Sequence, residues 1–242
     1  AQVSVQKSLM DPVFDVDVNA LGTVSALKAA VDSDVKKFIF ISSAAVYGNP
    51  LSVPISEMHP VNPLSVYGAS ELAAECYVRM FENTYGLKTT IIRPFNFYSS
   101  RADADSPYSG VITKFTECVK NDKPVVIEGD GKQTRDFLHA IDVSRLIYLA
   151  IESDVSGATF NCGSGEDISI NELAEKIISA SLKNIEIVHS QPRTADIKHS
   201  VADVRLAEEL LNFHTSVTIE EGLKELFTSQ NQLSAKMSMS MQ

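Results

Sequence analysis

Residues 37–42, Lys-Phe-Ile-Phe-Ile-Ser, make a mostly apolar run that is short enough for a parallel strand buried on both faces. Outward from it, such runs alternate with helical patterns. Asn19–Val31 puts Leu21, Val24, Leu27, Ala30 and Val31 on one helical face, and Tyr67–Tyr85 reads as a long Ala-, Leu- and Glu-rich helix ending at Gly86. Lys88–Arg93 is a β-branched strand stopped by Pro94, and Ala158–Cys162 is another buried strand. Between them lie a helix at Val111–Asn121, a strand at Pro124–Glu128 and a helix at Ile141–Glu152. Beyond Ser169 the units shrink. Capping boxes at Ser169/Glu172 and Thr218/Glu221 open two helices, with a strand at Ile185–Val188 and a helix at Arg205–Leu211 between them. Strands alternating with helices predict an α/β fold, a doubly wound parallel sheet. Ligands in such sheets bind beyond the carboxyl ends of the strands, which singles out Ser42-Ser43, Arg93–Asn96 and Cys162–Gly165.

The 242 residues, 44% of them hydrophobic, suit one large or two modest domains. A net charge of −10 speaks against a nucleic-acid reader or an anionic membrane surface, although a few arginines can still bind phosphate. No apolar run reaches the roughly eighteen residues of a membrane span, and no basic-then-apolar leader opens the chain, so a cytoplasmic protein is expected. Cys76, Cys118 and Cys162 lie far apart and are expected to be buried free thiols; neither they nor the five histidines show metal-ligand spacing.

Ser42-Ser43-Ala44-Ala45-Val46-Tyr47-Gly48 follows the first strand, and Tyr67 opens the long helix. A serine hydroxyl beside a tyrosine phenolate can bind a substrate hydroxyl and remove its proton; a turn-capping serine and a core tyrosine would read the same way. Six stretches in register carry more weight: AQVSVQKSLMDPVFDVDVNALGT (1–23), FIFISSAAVYG (38–48), YGASELAAE (67–75), IIRPFNFYSSR (91–101), GDGKQTRDFLHAIDV (129–143) and PRTADIKHSVAD (192–203). On these the sequence resembles the extended short-chain dehydrogenase/reductase superfamily, in its NAD-dependent nucleotide-sugar epimerase/dehydratase branch, close to the UDP-glucose 4-epimerases. The resemblance runs from Ala1 to about Phe227.

The resemblance implies NAD as cofactor and a UDP-sugar as substrate. Ser43 would bond the sugar hydroxyl being oxidised and Tyr67 would take its proton. Asn19, Ser42, Tyr67, Pro94 and Phe95 would border the cofactor. Asn96, Arg135 and Arg193 would hold the diphosphate, Asp196 the ribose, and a small Ser200 would leave room for an N-acetyl group. Arg135 beside Asp136 would equally suit a surface ion pair, Asn96 a turn hydrogen bond, and His139 a structural role. The family's dehydratases carry an acidic pair where this chain has Ala44 and Ala45, so 4-epimerisation by transient oxidation is favoured over dehydration. Residues 1–98 and 136–165 would form part of the Rossmann domain, 99–135 and 166–228 the UDP-sugar lobe, and 229–242 a flexible tail. The helices at Asn19–Val31 and Tyr67–Tyr85 match those of the family's homodimer interface.

Two departures stand out. Four residues after the family's tyrosine comes a lysine that lowers the phenol pKa, and here that position is Glu71. A carboxylate there opposes a phenolate by roughly 3 kcal/mol at ~5 Å and an effective dielectric of ~20. The family's opening strand, G-x-x-G-x-x-G turn and helix, which receive the dinucleotide pyrophosphate, are also not found, and the chain reads as N-terminally incomplete. Two functions remain: a UDP-sugar 4-epimerase impaired by both departures, or a non-catalytic UDP-sugar-binding or scaffold protein.

Overall fold

The computed structural model describes residues 1–102, 110–192 and 197–228. The chain opens with α1 (Val5–Met10), α2 (Pro12–Val16), a π-helical turn (Asp17–Leu21) and α3 (Gly22–Asp32). Strand β1 (Phe38–Ile41) leads through a 3-10 turn (Ala44–Val46) to α4 (Val66–Tyr85), β2 (Thr89–Pro94) and β3 (Asn96–Tyr98). Then come α5 (Val111–Lys120), β4 (Val125–Glu128), β5 (Thr134–Arg135), β6 (Phe137–His139), α6 (Ala140–Glu152) and β7 (Ala158–Cys162). Strand β8 (Ile168–Ser169), α7 (Ile170–Ser181), β9 (Ile187–Ser190), α8 (Arg205–Leu211) and a helix over 219–228 complete the described elements.

The central sheet is parallel, in the order β1-β2-β7, with Ile91 opposite both Phe40 and Thr159. Successive residues of a strand face opposite ways, and β2 uses this fully. Ile91 packs with Leu27, Val78 and Phe81 of α3 and α4, while Ile92 packs with Leu146 of α6, Phe160 of β7 and Leu211 of α8. Helices therefore cover both faces, and the mixed α/β architecture with parallel sheets agrees with the sequence reading. A second core collects Phe115 and Val119 of α5, Val125 and Ile127 of β4, Leu173 and Ile177 of α7, and Leu223 and Leu226 of the last helix.

The long helix α4 has clear stops. Ser65 Oγ accepts from the Gly68 amide at 3.0 Å, and Gly86 ends the helix at φ 71, a left-handed conformation that glycine adopts without strain. Both capping boxes are formed. The strand read at Ile185–Val188 lies two residues later, and the helix read from Asn19 begins at Gly22 behind the π-helical turn. Helices α1 and α2 and the two- and three-residue strands β3, β5, β6 and β8 gave no periodicity to read. All three cysteines are free, but only Cys162 is buried; Cys76 faces solvent from α4, whose apolar face lies on the other side. No helix among the described residues is long and apolar enough to cross a membrane.

Candidate active site

Two groups of residues gather at the carboxyl ends of the strands. The first surrounds the start of α4. Ser43 is extended (φ −152, ψ 149), and its Oγ caps the 3-10 turn by accepting from the Ala45 amide at 3.2 Å. The same hydroxyl lies near the Tyr67 phenol and favours its ionised form. Gly68 makes this approach possible, because a Cβ there would stand 2.7 Å from the Ala45 carbonyl oxygen. The Tyr67 amide is held by Ser8 Oγ of α1 at 3.1 Å.

Glu71 lies one turn further along α4, only 5% exposed, and its Oε2 has no hydrogen-bond partner. Burial, then the Glu75 and Asp15 carboxylates, push its carboxyl up to about 7. Burial and the Glu71 charge push the Tyr67 phenol up to about 12, against the opposing pull of the Ser43 hydroxyl. The phenol is therefore protonated near neutral pH.

Neighbouring residues fill mostly structural posts. Ser42 Oγ donates to Glu75 Oε1 at 2.6 Å. Arg93, read as a wall of the ligand cleft, instead forks onto Glu75 inside the core. Asn19 is buried on the π-helical turn, where its side chain accepts from the Gln2 amide (2.9 Å) and donates to the Gln2 carbonyl (2.8 Å). Asp15 accepts from Gln2, Asn19 and Ser70. Pro94 ends β2 beside Cys162, and Phe95 is buried with Tyr47, their ring centroids 6.3 Å apart.

The second group lines a cavity of about 460 Å³. Asn96, held at the head of β3 by its amide bond to the Asp136 carbonyl, meets Arg135 of β5 there. Gly110 and Val111 bring the amino-terminal end of α5 to the wall, and Lys114, Phe115, Val126, Glu128, Gln133 and Ile170 complete much of the lining. Lys114 escaped the sequence reading, because one exposed lysine on an amphipathic helix carries no signal of its own. The helix N-terminus, Lys114 and Arg135 offer positive groups to a phosphate, with the Glu128 carboxylate on the same cavity wall.

Arg135 and Asp136 do not pair with each other. The Asp136 carboxylate faces inward and accepts from the Ser164 amide and hydroxyl (both 2.7 Å), the Gly165 amide (3.0 Å) and the Ala202 amide (3.1 Å). The Gly163–Gly165 turn, read as cleft wall, thus closes on Asp136; a Cβ on Gly163 would stand 2.4 Å from its Oδ2. Ser200 offers its carbonyl to the Asp136 amide at 2.9 Å. His139 is buried edge-on against Tyr98, with Glu225 at 3.5 Å. Arg193 and Asp196 lie outside the described residues.

The family profile described as GDP-mannose 4,6 dehydratase matches residues 1–226. The UDP-glucose 4-epimerase of Mycolicibacterium smegmatis is 36% identical over 236 residues, covering 96% of this chain and 75% of that protein. The crystal structure of the Thermotoga maritima UDP-glucose 4-epimerase with UDP-glucose superposes with a TM-score of 0.92 at 33% identity, over 97% of this chain and 76% of that one. The Thermus thermophilus UDP-glucose 4-epimerase, in complex with NAD, gives 0.84 at 32% identity over 93% and 73%. The chain belongs to the NAD-dependent nucleotide-sugar epimerase/dehydratase family of extended short-chain dehydrogenases/reductases.

Proposed function

We propose that the chain binds a UDP-sugar in the Asn96–Arg135 cavity and presents its sugar C4 hydroxyl to Ser43 and Tyr67, as a UDP-glucose or UDP-N-acetylglucosamine 4-epimerase does. The observation that carries this reading is the Ser43 hydroxyl set near the Tyr67 phenol at the strand ends, where Gly68 lets the helix start approach the turn at 44–46. Lys114, Arg135, Asn96 and the start of α5 would hold the diphosphate; by the family resemblance Arg193 would join them and Asp196 would bind the nucleotide ribose. Ser43 would fix the hydroxyl and Tyr67 would exchange its proton. Ala44 and Ala45 offer no acid or base for eliminating water, which favours epimerisation over dehydration.

NAD, when bound, supplies the hydride acceptor and donor of such a reaction. The nicotinamide ribose end suits the residues present, since the buried, unpartnered Glu71 Oε2 is an acceptor for a ribose hydroxyl. For the pyrophosphate the sequence holds no G-x-x-G-x-x-G turn. A second reading, a UDP-sugar-binding protein without catalysis, rests on the Tyr67 phenol lying near 12 beside Glu71.

One assay separates the two readings. Conversion of UDP-glucose to UDP-galactose is followed with added NAD for the parent, Glu71→Lys and Tyr67→Phe. The epimerase reading expects Glu71→Lys to exceed the parent and Tyr67→Phe to abolish turnover. No turnover by either the parent or Glu71→Lys overturns it in favour of the binding protein. The exposed apolar residues Val13, Phe14, Leu21, Tyr77 and Met80 on or beside α2–α4 are the proposed homodimer face, checked by sedimentation.

A further inference from the structure

Three carboxylates are buried around the first turns of α4: Asp15, Glu71 and Glu75. Buried positive charge is scarcer. Arg93 gives both fork nitrogens to Glu75, and the half-exposed Arg79 also bonds Glu75. Asp15 receives only the neutral donors of Gln2, Asn19 and Ser70. Glu71 is left with an oxygen that nothing bonds, on the turn after Tyr67. Screening by salt and water is weak at such a site.

We propose that the buried, unpartnered Glu71 carboxylate makes the chain select the oxidised, positively charged dinucleotide over the reduced, neutral one. The inference rests on the NAD reading above and gives it a direction. Oxidised and reduced forms share the same ribose, pyrophosphate and adenine groups, so their relative affinity isolates the charge on the nicotinamide ring. An anionic neighbour stabilises the cation and leaves the neutral ring unaided. A lysine at the same helix position would do the reverse. The preference for the oxidised form also opposes net retention of electrons on the cofactor, and so favours return of hydride to the sugar.

The effect depends on pH through Glu71 itself. Tyr67 and Glu75 face it from its own helix and Asp15 from α2. Its protonated form is neutral and discriminates nothing.

The test is titration of the full chain and its near-isosteric Glu71→Gln variant with NADH and NAD+. NADH is read by nicotinamide fluorescence, which no tryptophan of this protein excites or quenches, and NAD+ by competition. At about pH 8.5 the ratio of the NADH to the NAD+ dissociation constant is expected to fall about tenfold in Glu71→Gln, equivalent to about 30 mV for a two-electron couple. Glu71→Lys is expected to lower it further, and at about pH 5.5 parent and Glu71→Gln should agree. Both nucleotides binding with one ratio in all three proteins at both pH values overturns the inference and leaves the NAD reading standing. Neither nucleotide binding to any of them overturns the NAD reading, and the inference with it.

Discussion

Glu75 on α4 accepts from both sides of the Arg93 guanidinium on β2, Nε to Oε1 at 2.8 Å and Nη2 to Oε2 at 2.6 Å. Ser42 adds a third donor, and the Tyr47 ring lies under the guanidinium, 4.8 Å from Cζ to its centroid. The pair ties the helix that carries Tyr67 to the middle strand of the sheet. Both side chains are almost fully buried, so removing one strands the other. Glu75→Ala is expected to cost about 3–5 kcal/mol in urea unfolding, with a Glu75→Leu/Arg93→Met double variant costing less than either single truncation. A Glu75→Ala cost under about 1 kcal/mol would contradict the buried-pair account.

Glu71 should weaken the fold as pH rises. Its folded value of about 7 lies above the ordinary carboxyl value of 4.5, so the folded state holds a proton that the unfolded state has released between those limits. Below 4.5 both states are protonated and nothing is lost. Through the window up to about 7 stability falls, and above it the penalty reaches about 3 kcal/mol. Glu71→Gln is thus expected to gain stability over its parent progressively across this window and to match it at lower pH. Chemical unfolding at a series of pH values checks this, and a gain that does not vary with pH would refute the linkage.

Gly68 offers a contest between propensity and space. Alanine is favoured over glycine inside a helix by about 1 kcal/mol. At this position its Cβ would meet the Ala45 carbonyl oxygen at 2.7 Å, and backbone cannot swing aside as a flexible side chain can. Sterics should win, with Gly68→Ala destabilising by about 1–3 kcal/mol and parting Tyr67 from Ser43. A stabilised Gly68→Ala in thermal unfolding would mean that the turn at 44–46 yields.

Much of this was legible in the sequence because the apolar periods were long. Ala158–Cys162 and Arg205–Leu211 fall where the pattern put them, and α4 is off by one residue. Legibility failed where local signals were short or ambiguous. Strands of two or three residues have no period, and Arg93 at a strand end looks identical whether it faces a ligand or Glu75. The Gly163–Gly165 turn looked like cleft wall, yet the missing side chain there makes room for Asp136. Within the site, Asn96 and Arg135 were readable from their motifs, whereas Lys114 meets them only once α5 is docked on its core face through Ile112, Phe115 and Val119.

That docking yields the last prediction. Lys114 and Arg135 are positive groups on a cavity in a protein of net charge −10, beside the start of α5, whose N-cap residue Gly110 has no side chain to cap it. If they act on phosphate, each alanine substitution should weaken UDP by about tenfold, or roughly 1.4 kcal/mol, and added salt should shrink the difference. Uridine, with the same base and ribose but no charge, should bind the parent and both variants alike. Calorimetric titration of the two ligands reads this directly. A parallel loss of uridine and UDP binding would show that the substitutions damage the cavity's shape, because a purely electrostatic contact has nothing to offer the neutral nucleoside.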